Sequence, residues 1–83
     1  MVYLGATKLA RNFGHERKWS YRILSEIEKS PEAKKRYRGR RMTLDGPGGI
    51  LINAEIVEDY LANRADLQNR NLARRLAPYG GKG

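Results

Sequence analysis

The sequence predicts an α+β, mainly helical fold for this 83-residue chain: a small winged helix-turn-helix with a two-stranded wing. Three observations predict it. Apolar residues recur at helical spacing in several short stretches, and the first two are separated by only four polar residues, HERK. Two short runs rich in Met, Thr, Leu and Ile, RRMTL and ILIN, flank DGPGG, which has the turn chemistry of a hairpin. Charge is lopsided: of the net +8, all is carried before Met42, where twelve basic residues face four acidic ones, while five of each follow.

The elements follow in chain order. Leu4, then Leu9, Ala10 and Phe13, keep helical spacing, and Gly14 stands where a left-handed C-terminal cap belongs, so the first helix spans about Ala6 to Phe13. In WSYRILSEIEK, the residues Trp19, Ile23, Leu24 and Ile27 share one stripe, which makes Trp19 a core position. SPEAKKRYRG begins a third helix with Ser30 as N-cap, Pro31 at its first position and Glu32 in its first turn; Gly39 stops it. In the hairpin Met42 and Leu44 share one face and Ile50 and Ile52 another. If these faces coincide they form the wing's contribution to the core. Asn53 caps the helix AEIVEDYLANR, whose buried stripe is Ile56, Val57, Tyr60 and Leu61. Leu61, Leu67, Leu72 and Leu76 extend a helical period to about Ala77, before Pro78 and Gly80 end it. The division expected is a winged helix-turn-helix domain over 1–64 and a basic tail, helical or disordered, over 65–83.

Length and composition bound the function. A chain this short is one domain that buries only about 60 to 65% of its unfolded surface, so its core is small. With no cysteine and one histidine, neither disulfides nor a thiolate or His-based zinc site is expected, and no cofactor. The start MVYLGATKLAR has no charged leader and reaches Arg11 early, and no long apolar run occurs, so a soluble, intracellular protein of the cytoplasm is expected with no membrane contact. His15 has no second histidine, Glu55, Glu58 and Asp59 lie along an amphipathic helix, and no glycine-rich loop precedes a lysine, so no enzyme is expected. The excess cation points to a polyanion, nucleic acid first. Helix, turn, helix, wing, helix is the order of a winged helix, whose second helix enters a major groove and whose wing lies along the neighbouring backbone or minor groove.

The segments YLGATKLARNFG, RKWSYRIL and GGILIN leading into AEIVEDYL resemble the excisionase and MerR-like winged-helix DNA-binding domains of phages and mobile elements over residues 2 to 64. The chain departs from that pattern at Gly5, where Thr or Ser is usual, and in the longer link SPEAKKRYRGR. The resemblance implies sequence-specific binding of double-stranded DNA by an excisionase, a recombination directionality factor that bends attachment-site DNA. It places base or phosphate contacts on the recognition helix at Arg17, Lys18, Ser20, Tyr21, Arg22 and Ser25. For Arg17 and Lys18, phosphate contact is the equal alternative to base reading, and for Ser20 and Ser25 water is the favoured partner. Lys34, Lys35 and Arg36 of the link supply nonspecific attraction, and Arg38, Arg40 and Arg41 of the wing contact backbone or minor groove. In the tail, Arg70, Arg74 and Arg75 flank an apolar stripe that packs on the domain, pairs with a second copy or docks on an integrase or recombinase. Two alternatives stand beside this reading: a small winged-helix transcriptional regulator, and, in another class, an RNA-binding or ribosome-associated protein.

Overall fold

The computed structural model describes residues 3–37, 43–46, 49–76 and 79. The order is β1 (Tyr3–Gly5), α1 (Ala6–Asn12), α2 (Arg17–Lys29), α3 (Pro31–Arg36), β2 (Thr43–Gly46), β3 (Gly49–Asn53), α4 (Ala54–Ala62), α5 (Arg64–Leu67) and α6 (Arg70–Ala73). This is an α+β, mainly helical winged helix-turn-helix. The hairpin β2–β3 forms as the sequence predicts, and β1 adds a third strand on the other side of β3, all antiparallel. Three residues are too few for strand alternation to show in the sequence; β1 pairs along the edge of β3 that β2 leaves open.

The turn between α1 and α2 is built by Gly14. Its φ of 75° is the left-handed conformation, and it lets the His15 amide reach the Ala10 carbonyl at 2.8 Å while its own amide donates to Arg11 at 3.1 Å. These are the two bonds of a Schellman motif, which satisfies the last carbonyls of α1 and reverses the chain. His15 then stacks on Trp19, with ring centroids 4.6 Å apart, and Phe13 leans on the same indole at 5.2 Å. Trp19 is partly buried against the core, as its place on the apolar stripe predicts.

The core gathers one side of every helix up to α5: Leu9 from α1, Ile23 and Ile27 from α2, Ala33 from α3, Ile52 from β3, Ile56, Val57 and Tyr60 from α4, and Leu67 from α5. Each fully buried aliphatic side chain contributes about 1.5 to 3 kcal/mol before entropy is counted. Ser30 caps α3 by accepting from the Ala33 amide at 3.2 Å, and Asn53 caps α4 by accepting from Glu55 at 2.9 Å and Ile56 at 3.3 Å.

Two expectations about pairing and length are corrected. The register sets Leu44 opposite Leu51 and Thr43 opposite Ile52, so Leu44 is out of step with Ile50 and Ile52; only Ile52 of that pair is buried, and Ile50 is exposed. A one-residue difference in register exchanges the faces of a strand. The last helix does not run on to Ala77: Asn63 ends α4 and Asn69 restarts the chain as the cap of α6, accepting from Asn71 at 3.0 Å and Leu72 at 3.3 Å. Asparagine side chains compete with the helical backbone for hydrogen bonds. The resulting bends bring Leu67, Ala73, Leu76 and Tyr79 onto the core, Tyr79 meeting Tyr37 edge to face at 5.2 Å.

Candidate nucleic-acid interface

Burial of Ser20, Ile23 and Ile27 orients α2, because these three residues turn one side of the helix inward. The opposite side carries Lys18, Tyr21, Arg22, Ser25 and Lys29, all exposed. They recur at intervals of three and four residues, so they form one stripe along a 13-residue helix about 20 Å long. Arg17 sits at its flank, where its guanidinium donates to the Tyr21 hydroxyl at 3.3 Å and lies 5.7 Å from the centre of the ring. That contact holds two long side chains in a defined posture at the start of the helix.

The stripe is extended at both ends. At its N-terminal end a groove of about 440 Å³ is lined by Arg17 and Tyr21 of α2, Gly49, Ile50 and Leu51 of β3, and Gly5, Ala6, Thr7 and Lys8 where β1 passes into α1. At its C-terminal end Lys29 shares a shallow groove with Lys34 and Lys35 of α3 and with one acid, Glu28. Lys35 in turn lines a cleft of about 390 Å³ with Glu32 of α3 and with Arg74, Leu76 and Tyr79 of the tail. Such a surface attracts a polyanion through many exposed cations and offers hydroxyl and guanidinium donors for directional contacts.

Most of the residues singled out in the sequence are exposed: Arg17, Lys18, Tyr21, Arg22, Ser25, Lys34, Lys35, Arg70, Arg74 and Arg75. Arg38, Arg40 and Arg41 lie outside the described residues. Two assignments are corrected. Ser20 is 1% exposed and its hydroxyl donates to the Ala6 carbonyl at 2.6 Å, tying α2 to the start of α1; it faces neither phosphate nor water. Arg36 is turned inward, donating through Nε and Nη2 to the Asp59 carboxylate at 2.7 and 3.1 Å, with its side chain only 12% exposed. The cation at 36 therefore joins α3 to α4. Asp59, read in the sequence as part of an ordinary helix face, is its partner. Lys29 and Lys8 join the exposed cations, and the spacing of Lys29, four residues after Ser25 and seven after Arg22, already puts it on the stripe.

Two ion-pair networks hold this surface from behind. The Asp59 carboxylate accepts from Arg36 and from the Tyr37 hydroxyl at 2.7 Å. Burial pushes its pKa up, but the hydrogen bonds from Arg36 and Tyr37 and the guanidinium charge outweigh burial and hold it below 3.8. The Tyr37 phenol is driven well above 10.0, first by burial and then by the carboxylate it donates to. The Glu26 carboxylate of α2 accepts from the Tyr60 hydroxyl at 2.6 Å and from Arg64 Nη2 at 2.6 Å, pinning α2 to α4 and α5. Burial raises its pKa and the bonds from Arg64 and Tyr60 lower it by more, so it lies below 4.5.

Among the described residues no three His, Asp or Glu side chains are grouped to hold a metal ion, and no helix is long and apolar enough to cross a membrane. No family model matches the chain, and no curated protein or solved structure matches it either.

Proposed function

We propose that this protein binds double-stranded DNA sequence-specifically, laying α2 in the major groove with the wing against the adjacent backbone. One observation carries the reading: Lys18, Tyr21, Arg22, Ser25 and Lys29 form a single exposed stripe on the second helix of a helix-turn-helix. A helix fits the roughly 12 Å width of the major groove, and arginine there matches guanine O6 and N7 together. Arg22 and Lys18 are the base readers, Ser25 a partner for base edge or phosphate, and Lys34 and Lys35 a nonspecific electrostatic reserve. The resemblance of residues 2 to 64 to excisionases narrows the role to a recombination directionality factor that bends attachment-site DNA. Arg70, Arg74 and Arg75, exposed beside Leu72, are the surface offered to a recombinase or a second copy.

The test is a pair of variants measured on a selected duplex and on scrambled duplexes. Arg22→Ala relaxes sequence preference by about 1 to 3 kcal/mol, whereas Lys35→Ala weakens all duplexes alike. The reverse pattern refutes the assignment. Structured RNA bound as tightly as duplex DNA would move the protein to the RNA-binding class, and footprints at promoters in place of attachment sites would make it a transcriptional regulator.

A further inference from the structure

We infer that α2 crosses the major groove from bank to bank, with Lys8 and Arg17 holding phosphates of one strand and Lys29, Lys34 and Lys35 holding phosphates of the opposite strand. This rests on the DNA-binding reading above and adds to it the direction of the helix and two contacts, Lys8 and Lys29.

The cations that adjoin α2 gather at its two ends. At its start Lys8 and Arg17 line one groove together with Thr7 and Tyr21, and among the described residues that line it there is no carboxylate. The Arg17 guanidinium is held in place by the Tyr21 hydroxyl at 3.3 Å. At the other end Lys29, Lys34 and Lys35 line a second groove against a single acid, Glu28. Only Ser30 separates α2 from α3, and the ion pair with Asp59 turns Arg36 inward onto α4 while Lys34 and Lys35 stay exposed.

Between these ends, from Ile23 to Glu28, the helix carries no cation. At 1.5 Å of rise per residue, Arg22 and Lys29 stand about 10 Å apart along the axis and Arg17 and Lys29 about 18 Å. The major groove opens to about 12 Å, with a row of phosphates on each bank and base edges between them. A helix set across the opening brings one cation cluster onto each row and spans the base edges with its cation-free turns, leaving Arg22 to reach down to them. A helix following one strand would instead pass a phosphate for about every 3.4 Å of duplex axis, and from Ile23 to Glu28 it would have no cation to meet them.

The experiment uses the full chain and a duplex chosen by selection from random DNA, with single uncharged methylphosphonates placed one position at a time along each strand. The parent protein is expected to lose about fivefold in affinity at phosphates on both banks of one major groove. In the double variant Lys8→Ala, Arg17→Ala the losses on one strand shrink below about twofold and those on the other persist; in the triple variant Lys29→Ala, Lys34→Ala, Lys35→Ala the strands exchange roles. All five positions are exposed, so both variants keep the fold. Each variant also makes the slope of log affinity against log salt shallower by about one for every phosphate released. If both variants relieve phosphates of the same strand, α2 lies along that strand and the inference is overturned while DNA binding stands. A phosphate map that either variant leaves unchanged overturns it as well. Failure of the protein to bind any duplex overturns the DNA-binding reading itself, and this inference with it.

Discussion

The substitution Asp59→Asn removes one charge from the contact between α3 and α4 and is expected to destabilise the whole protein. Four hydrogen bonds converge on this carboxylate, from Arg36 Nε at 2.7 Å, Arg36 Nη2 at 3.1 Å, the Tyr37 hydroxyl at 2.7 Å and, at the longer distance of 3.4 Å, Asn63 Nδ2. Asparagine keeps one acceptor oxygen and turns an amide donor toward donors, so at least one bond is lost and the others lose their charge assistance. Hydrogen bonds to charged groups contribute about 1.5 to 3 kcal/mol each, and breaking a fully buried pair costs about 3 to 5 kcal/mol. Here the side chains are 12% and 22% exposed, so some water returns to the stranded guanidinium. The expected loss is about 2 to 3 kcal/mol, or a fall in Tm of about 10 to 20 °C for a domain of this size. Urea and thermal unfolding of the parent, Asp59→Asn, Arg36→Met and the double variant form a cycle whose coupling is expected to exceed about 1 kcal/mol. A coupling near zero, or an Asp59→Asn protein as stable as the parent, would show that Arg36 is not engaged inward and would return it to the set of surface cations.

Two further predictions concern stability. Asp59 and Glu26 titrate below their ordinary values of 3.8 and 4.5, so the stability they contribute is complete above those values and is lost as pH falls through the lower folded ones. Tyr37 and Tyr60 titrate above 10.0, so their contribution is complete below that value and is lost as pH rises beyond it; thermal melts across the pH range are expected to show a plateau with a fall on each side, and a protein equally stable at about pH 3 and pH 7 contradicts the carboxylate assignments. Gly14→Ala places a Cβ where no atom lies within 4 Å, so its cost is purely that of the left-handed backbone at φ 75°, about 1 to 2 kcal/mol by urea unfolding; a neutral substitution would mean that the turn re-forms without that conformation.

Sequence by itself determined the elements whose causes are local. Gly14 as a left-handed cap, Ser30 with Pro31, and Asn53 before an apolar helix each carry their physical reason within a few residues, and the structure builds α1, α3 and α4 at those places. The outward stripe of α2 was legible for the same reason, since helical periodicity separates Ile23 and Ile27 from Arg22 and Ser25 without reference to any other element. Tertiary structure alone decided matters that depend on distant partners. Ser20 and Arg36 are chemically suited to a phosphate, and nothing within their own helices shows that the Ala6 carbonyl, 14 residues away, or the Asp59 carboxylate, 23 residues away, takes them first. The one-residue offset of the hairpin and the folding of the tail onto Tyr37 are of the same kind. A side chain's chemistry states what it can bind, and only the packing of the chain decides which of its possible partners arrives before solvent or ligand.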